Sequence, residues 1–345
     1  MDKIKVGIAG LGRSGWDIHC KTISQLPNLY EIVAVCDLDE KRRAEAEKTF
    51  KCVSYKNFDE LIKDKSIELV IVATLSNMHT EHTIKALKNG KNVVCEKPMA
   101  TNLKDADKMI KVAKETGNLL TIFQNRRYSP DFLKVKEIID SGIIGRVVLI
   151  KMLQHSFGRR WDWQTLKKYG GGLLNNWGPH IIDQALQLFG DKEEPEIFCH
   201  MEKTLTLGDT EDHIKIILHG KVSPLIDIEI TSCCCYPQEN WLVMGTKGGI
   251  KGTTNKLIWK YFKSENLPER KVEELPTPDR SYNREEIPWE GEQIWEPSEK
   301  DLNFQINFYI DLYQTIRNNK PLKITPESVR KVIWVIEKCH KIANI

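Results

Sequence analysis

The stretch Ile4-Lys5-Val6-Gly7-Ile8-Ala9-Gly10-Leu11-Gly12-Arg13-Ser14-Gly15 decides the reading of this chain. Its first six residues are a short apolar run of strand type, and the rest has the form G-x-G-x-x-G. A helical stretch follows to about Gln25, where Pro27-Asn28 breaks it, and a second apolar run, Ile32 to Cys36, ends in Asp37. A lone glycine fingerprint is weak evidence. Set between a strand and a helix, with an acid closing the next strand, it reads as a dinucleotide-binding turn. Gly10 admits the tight turn, Gly12 lets the backbone approach a pyrophosphate, and Gly15 lets helix and strand pack closely. The helix start then offers unpaired N–H groups and a positive dipole end to the phosphates. Gly10, Gly12, Arg13, Ser14 and Gly15 are therefore the expected phosphate-side contacts. Asp37 would accept the ribose hydroxyls and repel a 2′-phosphate, which favours NAD. Arg13 leaves NADP as the second option, because a guanidinium pairs with the extra charge.

Working outward, strand and helix continue to alternate. A charged helix runs from Glu40 to Lys48, followed by a short strand at Val53 and a small helix that Asn57 or Asp59 would cap. The strand Leu69 to Ala73 leads to a helix ending at Asn89-Gly90. The strand Asn92 to Cys95 precedes a helix from about Asn102 to Thr116 stopped by Gly117, and the strand Leu119 to Phe123 comes last. This regularity predicts an α/β doubly wound parallel sheet over residues 1–124. Beyond about residue 146 the pattern changes to β-branched runs: Val147 to Met152, Ile214 to Leu218, Leu225 to Ser232, Trp241 to Met244 and Lys256 to Phe262. They predict a second, α+β domain over residues 125–345, built on a large open, mostly antiparallel sheet. Pro276 to Pro297 lacks periodicity and reads as a long loop. Leu302 to Asn318 and Pro326 to Ile342 read as closing helices.

Composition sets the outer limits. Among 345 residues, 51 Lys and Arg face 48 Asp and Glu, a net charge of +3, which argues against nucleic acid or an anionic membrane as partner. No apolar run approaches the roughly 18 residues needed to cross a bilayer. The first strand starts at once, which predicts no cleavable leader and a cytoplasmic protein. The nine cysteines are odd in number and form no C-x-x-C pair, so free thiols are expected rather than a disulfide framework. His79 and His82 have helical spacing, but no carboxylate or cysteine converges on them, and no metal is expected.

Cys95-Glu96-Lys97-Pro98, a strand ending in E-K-P after such a fingerprint, resembles the Gfo/Idh/MocA family, named for glucose–fructose oxidoreductase and inositol dehydrogenase. Other landmarks follow in the family's order: Ala73-Thr74 with His79, Asn125-Arg126-Arg127 with Pro130, and Gly142 to Gly145. After these come Gly170-Gly171-Gly172-Leu173 leading to His180 and Asp183, then Gly245 to Gly249 and Lys320-Pro321. The resemblance spans most of the chain. It implies an N-terminal Rossmann domain, a substrate and oligomerisation domain, and a homodimer or homotetramer. It also implies further cofactor contacts at Thr74, Asn77, His79, Glu96, Lys97 and Gln124, and substrate contacts at Asn125, Arg126, Trp163, Asn176 and His180.

Oxidising a secondary alcohol with a nicotinamide requires a proton acceptor beside the hydroxyl as hydride leaves the same carbon. Lys97, at the C-terminal end of a parallel strand, projects into the crevice where such sheets bind ligands, and the resemblance gives it the relay role. His180 is the second candidate, since imidazole titrates near neutrality. Asn176, His180 and Asp183 fall at i, i+4 and i+7, which an uninterrupted helix would align on one face. Pro179 must then lie in its first turn or bend it. Sugar and inositol dehydrogenases of the family usually carry aspartate where this chain has Asn176, so proton transfer rests on Lys97 and His180, with Asp183 orienting the imidazole or touching substrate. Trp163 and its neighbours suit a carbohydrate face, and Arg159 and Arg160 an acidic one. The expected activity is NAD-dependent dehydrogenation of a ring alcohol in a sugar or cyclic polyol. Two alternatives stay open: a redox-neutral enzyme like the family's NAD-dependent glycosidases, and a non-catalytic NAD-binding regulator.

Overall fold

The structure, a computed structural model, describes residues 2–344. Strands β1 (Ile4–Ala9), β2 (Tyr30–Cys36), β3 (Val53–Tyr55), β4 (Leu69–Val72), β5 (Asn92–Cys95) and β6 (Leu120–Ile122) form one parallel sheet in the order β3-β2-β1-β4-β5-β6. They are short and apolar on both faces; Leu69, Val70, Ile71 and Val72 are all fully buried, as suits a sheet covered by helices on each side. The connecting helices are α1 (Lys21–Ser24), α2 (Glu40–Phe50), α3 (Phe58–Lys63), α4 (His79–Lys88) and α5 (Leu103–Thr116). The chain runs outward from β1 through β2 to β3 and then crosses back to β4 on the other side of β1, which parts the C-terminal ends of β1 and β4 and opens the crevice where ligands bind in such sheets.

Local chemistry sets the element ends. Asn102 caps α5 by accepting from Asp105 N, and Gly117 ends it at φ +67°. Asn57 precedes α3 but its side chain caps nothing, reaching Glu60 instead. The helix after the fingerprint is wound as a π-helix over Ser14–Cys20 before tightening into α1.

The second sheet has eight strands: β7 (Val147–His155), β8 (Glu196–Glu202), β9 (His213–His219), β10 (Leu225–Thr231), β11 (Trp241–Gly245), β12 (Gly248–Thr253), β13 (Lys256–Tyr261) and β14 (Gln293–Trp295), in the order β14-β13-β12-β11-β7-β10-β9-β8. Every pair is antiparallel except β7 with β10. Strict alternation buries Ile214, Ile216 and Leu218 of β9, and Ile226, Ile228 and Ile230 of β10, on the inner face. That face is covered by α6 (Pro130–Asp140), α7 (Leu173–Asn176), α8 (Gly178–Phe189) and the long α10 (Pro326–Ala343), with Ile182, Ala185, Val332 and Val335 buried against it.

Three features depart from the sequence reading. The supposed loop from Pro276 to Pro297 contains β14, an edge strand paired with β13 through Ile258 and Ile294. β8 and the glycine-rich β12 join the sheet without having shown a strand pattern in the sequence. Last, α9 (Gln305–Asn318), assigned by sequence to the second domain, packs on the first. Tyr309 is fully buried between His19, Tyr30 and Phe123, and Arg317 pairs with Glu68. Among the described residues no helix is long and apolar enough to cross a membrane.

Candidate active site

The fingerprint forms a cradle in which Gly10 and Gly15 leave no room for a side chain. Gly10 has φ +93°, and a Cβ there would lie 2.4 Å from Ala73 O; one on Gly15 would lie 1.8 Å from Gly10 O. Gly12 opens onto free space, with nothing within 4 Å of its would-be Cβ, so a pyrophosphate has room to approach the backbone. Asp37 stands at the end of β2 with Oδ2 accepting from Leu11 N at 2.7 Å and Oδ1 from Asp39 N at 2.8 Å. It thereby ties the fingerprint to the next strand. Arg42 reaches the same carboxylate at 3.7 Å. Arg13 is exposed on the turn and Asn77 on the neighbouring loop, while Thr74 and Ser14 are half-buried. These residues fit a bound dinucleotide.

Two residues expected at the cofactor also brace the site from within. His79 is buried, with Nδ1 2.8 Å from Pro98 O and Nε2 3.1 Å from Thr74 O, so its ring joins the loops after β4 and β5. Burial lowers its pKa. Glu96 turns inward: Oε1 meets His19 Nε2 at 3.1 Å and Oε2 accepts from Lys97 N at 2.9 Å, while His19 Nδ1 faces the Tyr309 hydroxyl. Burial raises the Glu96 pKa, but the hydrogen bond from His19, with the nearby Lys97 ammonium, outweighs it and holds the carboxyl below its usual value. His19 and Tyr309, absent from the sequence reading, thus fix the strand end that carries Lys97. The Lys97–Pro98 peptide is cis.

Lys97 crosses the crevice to the second domain. Its Nζ donates to Asn176 O at 2.9 Å and to Asn176 Oδ1 at 3.0 Å. Its pKa is pushed down to about 8, chiefly by burial. The Glu96 carboxylate opposes this, and the guanidinium groups of Arg13, Arg126 and Arg160 add to it.

Asn176, His180 and Asp183 do not share one helix. The chain breaks at Trp177, so that Asn176 ends α7 and His180 and Asp183 lie on α8, with Pro179 in its first turn. His180 lies beside Trp177, ring centroids 6.3 Å apart, and its buried Nδ1 has no hydrogen-bond partner among the described residues. Burial, then Lys97, Arg126 and Arg13, press its pKa well below the ordinary value and keep the ring neutral. Asp183 does not orient it. Both carboxylate oxygens are held by Arg127, Nε to Oδ2 at 2.8 Å and Nη2 to Oδ1 at 2.6 Å, in a buried bidentate pair. Asp183 therefore positions the turn Asn125–Tyr128 on α8. Gln124 helps, donating to Pro179 O at 2.6 Å, as does Gln184, donating to Arg126 O at 2.8 Å.

Asn125 is buried at the start of that turn. Arg126 lies over the Trp177 ring at 4.8 Å. Trp163 is half-buried in the segment after the Arg160–Asp162 pair, which the triple glycine touches through Gly172 N to Gln164 O at 2.8 Å. Gly172 has φ +110°, and a Cβ there would meet the buried Glu211 carboxylate at 2.4 Å. Glu211 Oε1 accepts from Leu174 N at 2.9 Å and so seats α7. The triple glycine was the only trace of this contact in the sequence.

Comparison with known proteins agrees with this geometry. A family model described as an oxidoreductase family with an NAD-binding Rossmann fold matches residues 4–124, and the Gfo/Idh/MocA C-terminal domain matches residues 132–251. An uncharacterized oxidoreductase of Schizosaccharomyces pombe is 34% identical over 264 residues, covering 72% of this chain and 71% of the relative. The scyllo-inositol 2-dehydrogenase (NADP(+)) of Bacillus subtilis is 28% identical over 367 residues, covering 98% and 93%. The solved structure of an NAD-binding protein from Listeria innocua shares the fold, with a TM-score of 0.81 at 23% identity over 100% of this chain and 98% of that one. A glycine cradle closed by Asp37, a lysine at the end of β5 and a mostly antiparallel second sheet thus place the chain in the Gfo/Idh/MocA family of NAD(P)-dependent oxidoreductases.

Proposed function

We propose that the protein is an NAD-dependent dehydrogenase that oxidises a ring secondary alcohol of a sugar or cyclic polyol. The observation that carries this reading is Lys97, an amine of pKa about 8 held at the crevice between the domains by two neutral oxygens of Asn176. A lysine so tuned is partly unprotonated near neutrality and can take the hydroxyl proton. His180, neutral and with a free buried Nδ1, accepts and passes on a hydrogen bond without storing charge.

The bound dinucleotide supplies the hydride acceptor. Gly10, Gly12, Arg13, Ser14 and Gly15 hold its phosphates, and Asp37 its adenosine ribose, with Thr74 and Asn77 along the rim. The carboxylate at 37 favours NAD, although a relative at 28% identity is named for NADP(+). That relative's name supports a cyclic polyol as substrate and a place in carbohydrate metabolism. The outer face of the second sheet exposes Phe198, Leu225, Met244 and Ile294, which supports pairing of subunits there into a dimer or tetramer.

The test is NADH absorbance while inositols, free sugars and sugar acids are offered with NAD, then with NADP. Net NADH from one substrate class is the expected result. A flat trace from protein that binds NAD would discard the dehydrogenase reading.

A further inference from the structure

One carboxylate, that of Asp131, acts on the charge of Arg126, and it does so from beyond salt-bridge distance. Its guanidinium carbon lies over the Trp177 ring, 4.8 Å from the centroid, and among the described residues the side chain takes part in no ion pair or hydrogen bond. Burial lowers its pKa, which marks the cost of holding the charge there. The carboxylate whose charge does reach it, Asp131, is turned to Trp241 Nε1 at 2.9 Å.

The surrounding acids are already committed. Glu96 serves His19, Asp183 serves Arg127, and Asp162 accepts from Arg160 at 2.8 Å. Lys97 is held by an amide where an aspartate would have neutralised it. Of the cations near Lys97, Arg13 lies on the phosphate turn, where the dinucleotide supplies its counter-charge. Arg126 remains, and an oxidised nicotinamide adds one more positive charge when bound. A neutral ring alcohol brings nothing to offset that added charge.

We infer that Arg126 is a specificity-determining residue that receives a carboxylate of the substrate, so that the ring alcohol oxidised belongs to a sugar acid rather than to a neutral sugar or inositol. The inference rests on the dehydrogenase reading and narrows its substrate. Packing over Trp177 restrains the guanidinium, whose planar set of N–H donors can fork onto a carboxylate. A phosphate dianion would call for a second free cation, and Arg160 is occupied by Asp162 and by Gln164 Oε1 at 2.6 Å.

The test pairs glucuronate with glucose, galacturonate with galactose, and each with its hexose 6-phosphate. Turnover with NAD is read as kcat/KM, and binding to the NADH-loaded protein is read by calorimetry. At least one acid should exceed its neutral partner by about 10²-fold in wild type, Arg126→Gln should erase most of that ratio, and Arg126→Lys should restore part of it. Equal use of acid and neutral sugar, preference for the phosphate, equal loss on both in Arg126→Gln, or no binding by either acid would each overturn the inference. The two readings fail separately. Arg126-dependent binding of the acid with no NADH formed from NAD keeps the inference and removes the dehydrogenase. NADH from neutral sugars alone does the reverse.

Discussion

Lys97 and Asn176, which lie on different domains, are joined by two hydrogen bonds from one ammonium, at 2.9 Å to the backbone oxygen and 3.0 Å to the side-chain oxygen. Because both acceptors are neutral, the pairing orients the amine without holding its proton. Oxidation should therefore rise with pH through about 8, as Lys97 loses its proton and becomes a base. Asn176→Asp places a carboxylate beside it, favours the charged amine, and should move that rise upward by about one unit or more. The pH profile of kcat/KM checks this. An unmoved midpoint would detach the titration from Lys97.

Asp37→Ser should change the choice of cofactor. Removing the carboxylate removes its repulsion of a 2′-phosphate and frees Arg42, now 3.7 Å away, to meet one. The ratio of kcat/KM for NADP over NAD should climb by about tenfold or more. The hydroxyl of serine keeps an acceptor near Leu11 N.

Arg127→Leu should destabilise the protein by about 3–5 kcal/mol, since it strands the Asp183 carboxylate in a buried site. Urea unfolding measures the loss. A fall under 1 kcal/mol, taking about that as the worth of an exposed pair, would show that water reaches Asp183 in the variant.

Gly172→Ala forces a Cβ into the Glu211 carboxylate at a backbone angle of +110° that alanine avoids. The strain, about 1–3 kcal/mol, falls on the start of α7 and so on Asn176. Turnover should drop while affinity for NAD, bound on the other domain, stays within about twofold by simple additivity of distant sites. Stopped-flow turnover and cofactor titration separate the two.

What the sequence revealed was mostly local. The glycine turn, the Asn102 cap and the Gly117 stop are each set by residues a few positions apart, and their chemistry survives without knowledge of the fold. Lys97 was legible because a strand end and a following proline mark it. The contacts that position its surroundings were not. His19 reaches Glu96 from another helix, Arg127 reaches Asp183 across a turn, and Glu211 lies behind Gly172; each pairing exists only after the chain has folded. The break at Trp177 was half legible: Pro179 called for a first turn or a bend, and it takes the first turn of α8, which ends the i, i+4 and i+7 alignment that an unbroken helix would give. β14 was missed because a three-residue edge strand carries too few residues to show alternation.

The central claim is that Lys97 handles the proton. Its most direct test is the rate of NADH formation by Lys97→Ala beside wild type, on the best substrate found, with NAD affinity and fold verified in both. A loss of about 10²–10⁴-fold in turnover is predicted. A variant that keeps more than about a tenth of wild-type turnover would contradict the account, since a true acid–base group contributes at least the lower end of that range.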